Sequence, residues 1–273
     1  MKDNIVYVAG RVMNVQIGEW YAVQWVNGIK TQLTSSAIPS NANAIALNGN
    51  DIYIAGNYLT HNGTSVAVYW KNGIEHKLVA DTTLNSYAFG IAINDGHVYI
   101  VGNVVAVPGA EWQATLWKDG VIAFTGQGVP PGYSYSSAYA VAVNGSDIYL
   151  AGDLNENSVP VYWKNGVMIQ IGQGPATTIN AIAVNGQDVY LSGFETAQNA
   201  DNQFTVTPML WKNGTATQLS TPLANMEAGS GIAVNGSDVY VTGGGGYWKN
   251  GSLVQVPGQS PFVFGIAVVP QEP

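Results

Sequence analysis

Glu19-Trp20 and Glu111-Trp112 are the two places in this chain where a glutamate directly precedes a tryptophan. Each pair stands five residues ahead of a second tryptophan, Trp25 or Trp117, where comparable stretches carry Ser65, Ser158, Val206 or Gly243. An indole can stack on the apolar face of a sugar ring while a neighbouring carboxylate accepts bonds from its hydroxyls. The pairs read first as caps on a blade edge, with sugar grips as the functional alternative. A second set emerges when repeats are aligned: Asn43, Phe89, Tyr139, Asn180, Ser230 and Phe264 each precede a small-residue strand. That set is aromatic and amide with no charge, which suits a neutral sugar or a peptide better than an ion. Tyr133 and Tyr135 add aromatic surface in one connecting segment.

Other chemistries are poorly supplied. His61, His76 and His97 fall on different kinds of segment, so no Ser-His-Asp set assembles. Glu111 with Glu156 or Glu195 could form a glycosidase pair, but spacing in sequence does not give their separation. The stretch Asp153-Leu-Asn-Glu-Asn157 begins like a calcium loop, then lacks the glycine and the final acid such a loop needs. No catalytic residue, metal or cofactor is expected.

The elements that must hold these residues come from a repeat. Ala181–Gly193, AIAVNGQDVYLSG, recurs at Ala44–Gly56, Gly90–Gly102, Ala140–Gly152 and Gly231–Gly243. A second motif, Tyr/Leu-Trp-Lys-Asn/Asp-Gly, follows at Trp70, Trp117, Trp163, Trp211 and Trp248, with a variant at Trp25. Asn-Gly or Asp-Gly between alternating apolar residues predicts type I′ hairpins, since both residues tolerate positive φ. Each repeat then holds four strands. No segment has a 3.6-residue apolar period, so no helix is expected.

Six such units, spaced 41 to 50 residues apart at Tyr7, Tyr53, Tyr99, Tyr149, Tyr190 and Tyr240, predict a six-bladed β-propeller in one domain, 1–273. The blades are expected at 264–270 plus 4–35, 43–80, 89–125, 139–172, 180–220 and 230–257. The chain starts on a second strand and ends on a first, so 264–269 is expected to close the ring. The aromatic residues of the repeats are expected to fill the space between blades. The uneven loops after Gly10, Gly102 and Gly193 are expected to lie at the end opposite the uniform turns, and to carry the function.

Composition narrows the partners. The formal net charge is -8 with nine Lys and Arg, which argues against a nucleic-acid partner. Only 10% of residues are charged, against about 25% in average proteins. There is no cysteine, hence no disulfide or thiolate chemistry. No run of about 18 apolar residues marks a membrane span, and no basic-then-apolar signal opens the sequence.

The layout resembles six-bladed propellers. It is similar in order to NHL-type repeats, and more so to the YWKNG-containing repeats of bacterial surface and secreted proteins, over the whole chain. The resemblance implies a fold and transfers no catalytic residue. The resulting expectation is a monomeric, non-enzymatic binding or scaffold propeller of the bacterial cell surface or exterior, with a cytoplasmic location as the alternative. Its loop face would take a neutral carbohydrate or an extended peptide. The alternatives are a protein-interaction module of a larger surface protein, or a hydrolase or lyase.

Overall fold

The computed structural model describes residues 7–125, 135–154, 159–171, 177–198, 204–219, 228–243, 246–255 and 266. Tyr133, Glu156 and Phe264, and the expected closing strand at 264–269 apart from Ile266, lie outside these residues. All regular structure among the described residues is β. The chain forms two compact units, Met1–Gly128 and Val129–Pro273.

The first unit holds three antiparallel sheets. One has three strands: β1 (Tyr7–Asn14), β2 (Glu19–Val26) and β3 (Ile29–Gln32). The next comprises β4 (Ser40–Asn48), β5 (Asp51–Leu59), β6 (Ser65–Lys71) and β7 (Ile74–Lys77). The third comprises β8 (Ser86–Asn94), β9 (His97–Val105), β10 (Trp112–Lys118) and β11 (Val121–Thr125).

The second unit holds three four-stranded sheets. They are β12 (Ser136–Asn144), β13 (Asp147–Leu154), β14 (Val159–Lys164) and β15 (Val167–Gln170); β16 (Thr177–Asn185), β17 (Asp188–Gln198), β18 (Phe204–Lys212) and β19 (Thr215–Gln218); and β20 (Ala228–Asn235), β21 (Asp238–Gly243), β22 (Gly246–Lys249) and β23 (Ser252–Gln255). Strand order follows chain order in every sheet, as in the blades of an up-and-down propeller.

Burial explains why these sheets stack. Trp70 packs with Ala22, Ala42, Ile54 and Val68, and Trp117 with Tyr53, Ala55, Ala88 and Ile100, so each indole fills the layer between neighbouring sheets of the first unit. In the second unit Trp211 packs with Tyr149, Ile179 and Leu191, and Trp248 with Tyr190, Leu219 and Val241. The fourth strands β7 and β19 are exposed throughout, which leaves them little part in the core.

Except in the third sheet, where Asp95 (φ 50°) and Gly96 (φ 78°) form the expected type I′ turn, the two kinds of hairpin differ, against the expectation of type I′ turns throughout. After each motif tryptophan, Asn27, Asn72, Asp119, Asn165, Asn213 and Asn250 have φ of 49–52° and the following glycine is also positive, the type I′ pattern. In the first hairpins Asn48 pairs with Asp51, Asn144 with Asp147 and Asn185 with Asp188, so the asparagine closes the ladder and glycine leads the loop. Only that glycine has positive φ (58–60° at Gly49, Gly145 and Gly186), the type II′ pattern. Freed from the turn, Asn144 Nδ2 donates to Gly186 O and Asn185 Nδ2 to Gly236 O, each at 2.7 Å.

The aspartate that ends the first hairpin ties the two turns of its sheet together. Asn72 Nδ2 donates to Asp51 Oδ1 at 2.8 Å, while Asn72 Oδ1 accepts the Ile52 amide at 2.9 Å. Lys71 reaches the other Asp51 oxygen at 3.0 Å and lies over the Tyr53 ring. The same group recurs at Asp147, Asp188 and Asp238, so these carboxylates meet side chains of the tryptophan turn rather than turn amides. In the third sheet the charges trade places. Asp119 takes the asparagine position, accepts the Val98 amide and meets His97 Nδ1 at 2.7 Å.

These ties give an acid response with a defined sign. The Asn72 amide and the Lys71 ammonium hold the Asp51 carboxyl below its ordinary 3.8, and the matching lysine and asparagine do so at Asp147, Asp188 and Asp238. A carboxyl that is more acidic when folded contributes stability that is complete above the ordinary value and lost as pH falls through the folded value. Thermal melts are expected to be flat with pH near neutrality and to drop below about pH 3.8, and Asp147→Asn with Asp188→Asn should shrink that drop. An equal drop in the double variant would refute this account.

The first strand of most sheets is broken by a β-bulge. Ala42 pairs with Gly56 and Ala44 with Ala55, leaving Asn43 as the extra residue; Phe89, Tyr139 and Asn180 are left in the same way. Ser230 falls within the corresponding interruption between Ala228 and Ile232. The glycine opposite is required by close approach. A Cβ on Gly56, Gly102, Gly152 or Gly193 would stand 1.8–2.0 Å from a carbonyl oxygen of the bulged strand. A bulge bends its strand and re-aims the side chain it carries.

Candidate functional site

Two bulge residues, Asn43 and Phe89, line one open cleft of about 420 Å³ in the first unit, with Arg11, Asn41, Asn57 and Tyr87. Its floor is a buried polar chain. Asn57 is 3% exposed and donates through Nδ2 to Ser65 Oγ at 3.0 Å; Ser65 Oγ donates to Ser86 O, and Ser86 Oγ accepts the Ala67 amide. Asn43 Nδ2 donates to Ala88 O at 2.8 Å and lies 3.4 Å from Asn57 Oδ1, which fixes both amides. Amides held this way keep their remaining polar atoms oriented.

One wall is aromatic. Tyr87 and Phe89 stack with centroids 5.8 Å apart and planes 3° from parallel, and Trp112 leans on Tyr87 at 5.4 Å. Tyr87, Phe89 and Trp112 are all half-buried, so ring surface stays open. The opposite rim is Arg11. Its guanidinium carbon lies 4.9 Å above the Trp20 ring and its Nη1 donates to Asn41 Oδ1 at 2.8 Å.

The residues expected from sequence are thus partly gathered. Asn43 and Phe89 share the cleft; Trp112 and Trp20 flank it at one remove, through Tyr87 and Arg11. Glu19 opens β2 and is exposed, and Glu111, also exposed, lies just ahead of β10. Sequence reasoning omitted Arg11, Asn41, Asn57 and Tyr87 from the candidates. Arg11 had a signal, being the only arginine in the chain. Asn41 had none, since the bulge that brings it beside Asn43 is not legible as a motif. A second hollow of about 400 Å³, lined by Ile38, Pro39, Tyr58, Leu59 and His61, is more apolar.

Tyr139, Asn180, Ser230 and Tyr135 belong to the second unit, all half-buried. Tyr139 OH lies 3.4 Å from Asp153 Oδ1, and Asp153 is fully buried. Burial, followed by the Asp153 charge, pushes the Tyr139 hydroxyl well above its ordinary value, so it stays a protonated donor. Asp153 was read as a loop residue; the ladder continues through it because Ser137 pairs with it beyond the bulge.

No protein-family model matches this sequence, and neither does any curated protein. Solved structures of similar architecture include the extracellular domain of a one-component system of B. thetaiotaomicron, at 10% identity and a TM-score of 0.48 over 91% of this chain. This chain spans 32% of that protein's chain. The β-propeller domain of the trilobed protease of Pyrococcus furiosus matches at 11% identity and a TM-score of 0.48, covering 91% of this chain and 78% of that one. A thermostable family-43 glycoside hydrolase matches at 12% identity and a TM-score of 0.45, covering 83% and 92%. At these identities the likeness concerns the fold.

The expectation of a non-enzymatic scaffold is corrected at this point. Family-43 glycoside hydrolases and an exo-1,5-alpha-L-arabinanase are among the structures of similar architecture, and a fold by itself neither implies nor excludes catalysis. Asp153 supplies a buried carboxylate beside Tyr139, at a position the sequence had assigned to a loop. No helix among the described residues is long and apolar enough to cross a membrane.

Proposed function

We propose that this propeller acts on carbohydrate, seating a saccharide in the cleft between the Tyr87–Phe89 wall and the amides of Asn41, Asn43 and Asn57. The observation that carries the reading is the pairing of an open aromatic face with fixed amides in one concave site. Sugar rings need both: the ring face excludes water against the aromatic, while amides serve hydroxyls as donor and acceptor. Glycosidic-bond hydrolysis belongs to this reading as its chemistry, and Glu111, exposed beside Trp112, is the acid to remove first. The low charge and the Asn- and Tyr-rich composition fit a protein working as a monomer outside the cell, where polysaccharide is met.

The test is titration with arabinan, xylan, galactan and pectin fragments, followed by tryptophan fluorescence and by release of reducing ends. Saturable binding is expected, and Tyr87→Ala should weaken it about tenfold, the scale of a lost ring contact. Any turnover should fall in Glu111→Gln. Absence of both binding and turnover across these glycans would overturn the reading.

A further inference from the structure

Arg11 differs from the four lysines of the tryptophan turns that are tied to an aspartate. Lys71, Lys164, Lys212 and Lys249 each meet an aspartate at 2.8–3.0 Å. The Arg11 guanidinium, in a protein of net charge -8, has no carboxylate partner among the described residues. It is nonetheless held in position, by the Trp20 ring at 4.9 Å and by Asn41 Oδ1 at 2.8 Å. Because Asn41 presents its oxygen to Arg11, its Nδ2 points its donors elsewhere, and no described acceptor takes them. The rim of the cleft therefore offers guanidinium and amide donors together.

We propose that this rim is a subsite for the oxyanion of an acidic sugar, the carboxylate of a uronic acid or a sulfate ester, which rests on the saccharide reading of the cleft. A guanidinium presents paired N–H donors that match two oxygens of one anionic group, and stacking on an indole fixes its plane beforehand. None of the eight residues that line the cleft is acidic. Glu19 pairs with Asn14, an odd number of positions along β1 from Arg11, so the alternation of side chains sends it to the other face of the sheet. The overall negative charge does not prevent this, since exposed charges beyond about 8 Å are screened at physiological salt. The site therefore selects a charged sugar where the bulge residues alone suggested a neutral one.

The experiment compares galacturonate trimer, sulfated galactotriose and unmodified galactotriose by calorimetry at low and high salt. The intact protein is expected to bind at least one acidic trimer about tenfold more tightly than the neutral one, with the preference shrinking at high salt. The favoured acidic trimer identifies carboxylate or sulfate as the group recognised. Arg11→Gln should erase the preference, and Arg11→Lys should keep part of it. Arg11 is exposed, so melting of the variants should be unchanged. Equal binding of neutral and acidic trimers, or a preference that survives in Arg11→Gln, would overturn the subsite while sparing the saccharide reading. Failure of all three trimers to bind would also overturn the subsite, and the saccharide reading would then be decided by the arabinan and xylan titrations.

Discussion

Gly102→Ala is expected to destabilise the protein by about 3 kcal/mol or more, the upper range for forcing an atom into a filled space. The added Cβ would stand 1.8 Å from Tyr87 O and 2.9 Å from the Ala88 Cα. Both contacts are backbone, so no side chain can swing aside; β8 itself must move from β9. The bulge at Phe89 exists only because Gly102 lets the strands approach there. The variant should therefore disturb the cleft as well, since Tyr87 and Phe89 are its aromatic wall. Gly49→Ala is the control. Its site is open and its φ is +59°, so the cost is backbone strain alone, about 1 kcal/mol. Chemical denaturation of the two variants decides the matter, and equal losses would show that close approach is not what Gly102 provides.

Trp163→Ala and Trp70→Ala should each cost about 3–5 kcal/mol, the range for emptying a buried aromatic site. Trp163 is 2% exposed and Trp70 is 0% exposed. Trp70 touches residues from two sheets of its unit, Ala22 and Ala42 among them, so its loss opens a void that neither sheet can collapse into alone. Phenylalanine distinguishes volume from hydrogen bonding. The Trp70 Nε1 is buried and meets no acceptor, so Trp70→Phe gives up no bond and should cost well under half as much as alanine. A loss below about 1 kcal/mol in either alanine variant would remove that indole from the core.

The fold was largely legible because each repeat states its own turns and strands. Asn165-Gly166 and its counterparts adopt the positive φ that the dipeptide predicts. The first hairpins misled because the same dipeptide, at Asn144-Gly145, sits one position earlier in the ladder. Which pair of residues occupies the loop depends on register, and register depends on how the strands pack. Strand ends were misjudged for a related reason: β12 begins at Ser136 because pairing resumes beyond its bulge.

For the candidate site the division is similar. Aligning the repeats was enough to select Asn43, Phe89, Tyr139, Asn180 and Ser230, since an extra residue inserted in a repeated strand holds a constant place in the alignment. The sequence alone also determined the sheet content, the blade spacing and the tryptophan core, all of which follow from local turn chemistry and period-two burial. Only the tertiary structure decided that those selected residues are bulges, that Gly102 and its counterparts allow them, and that Arg11 and Tyr87 share a cleft with them. The contacts of Arg11 across the cleft join residues 30 to 80 positions apart in the chain, and they are set by how one sheet lies on the next, which no single repeat encodes.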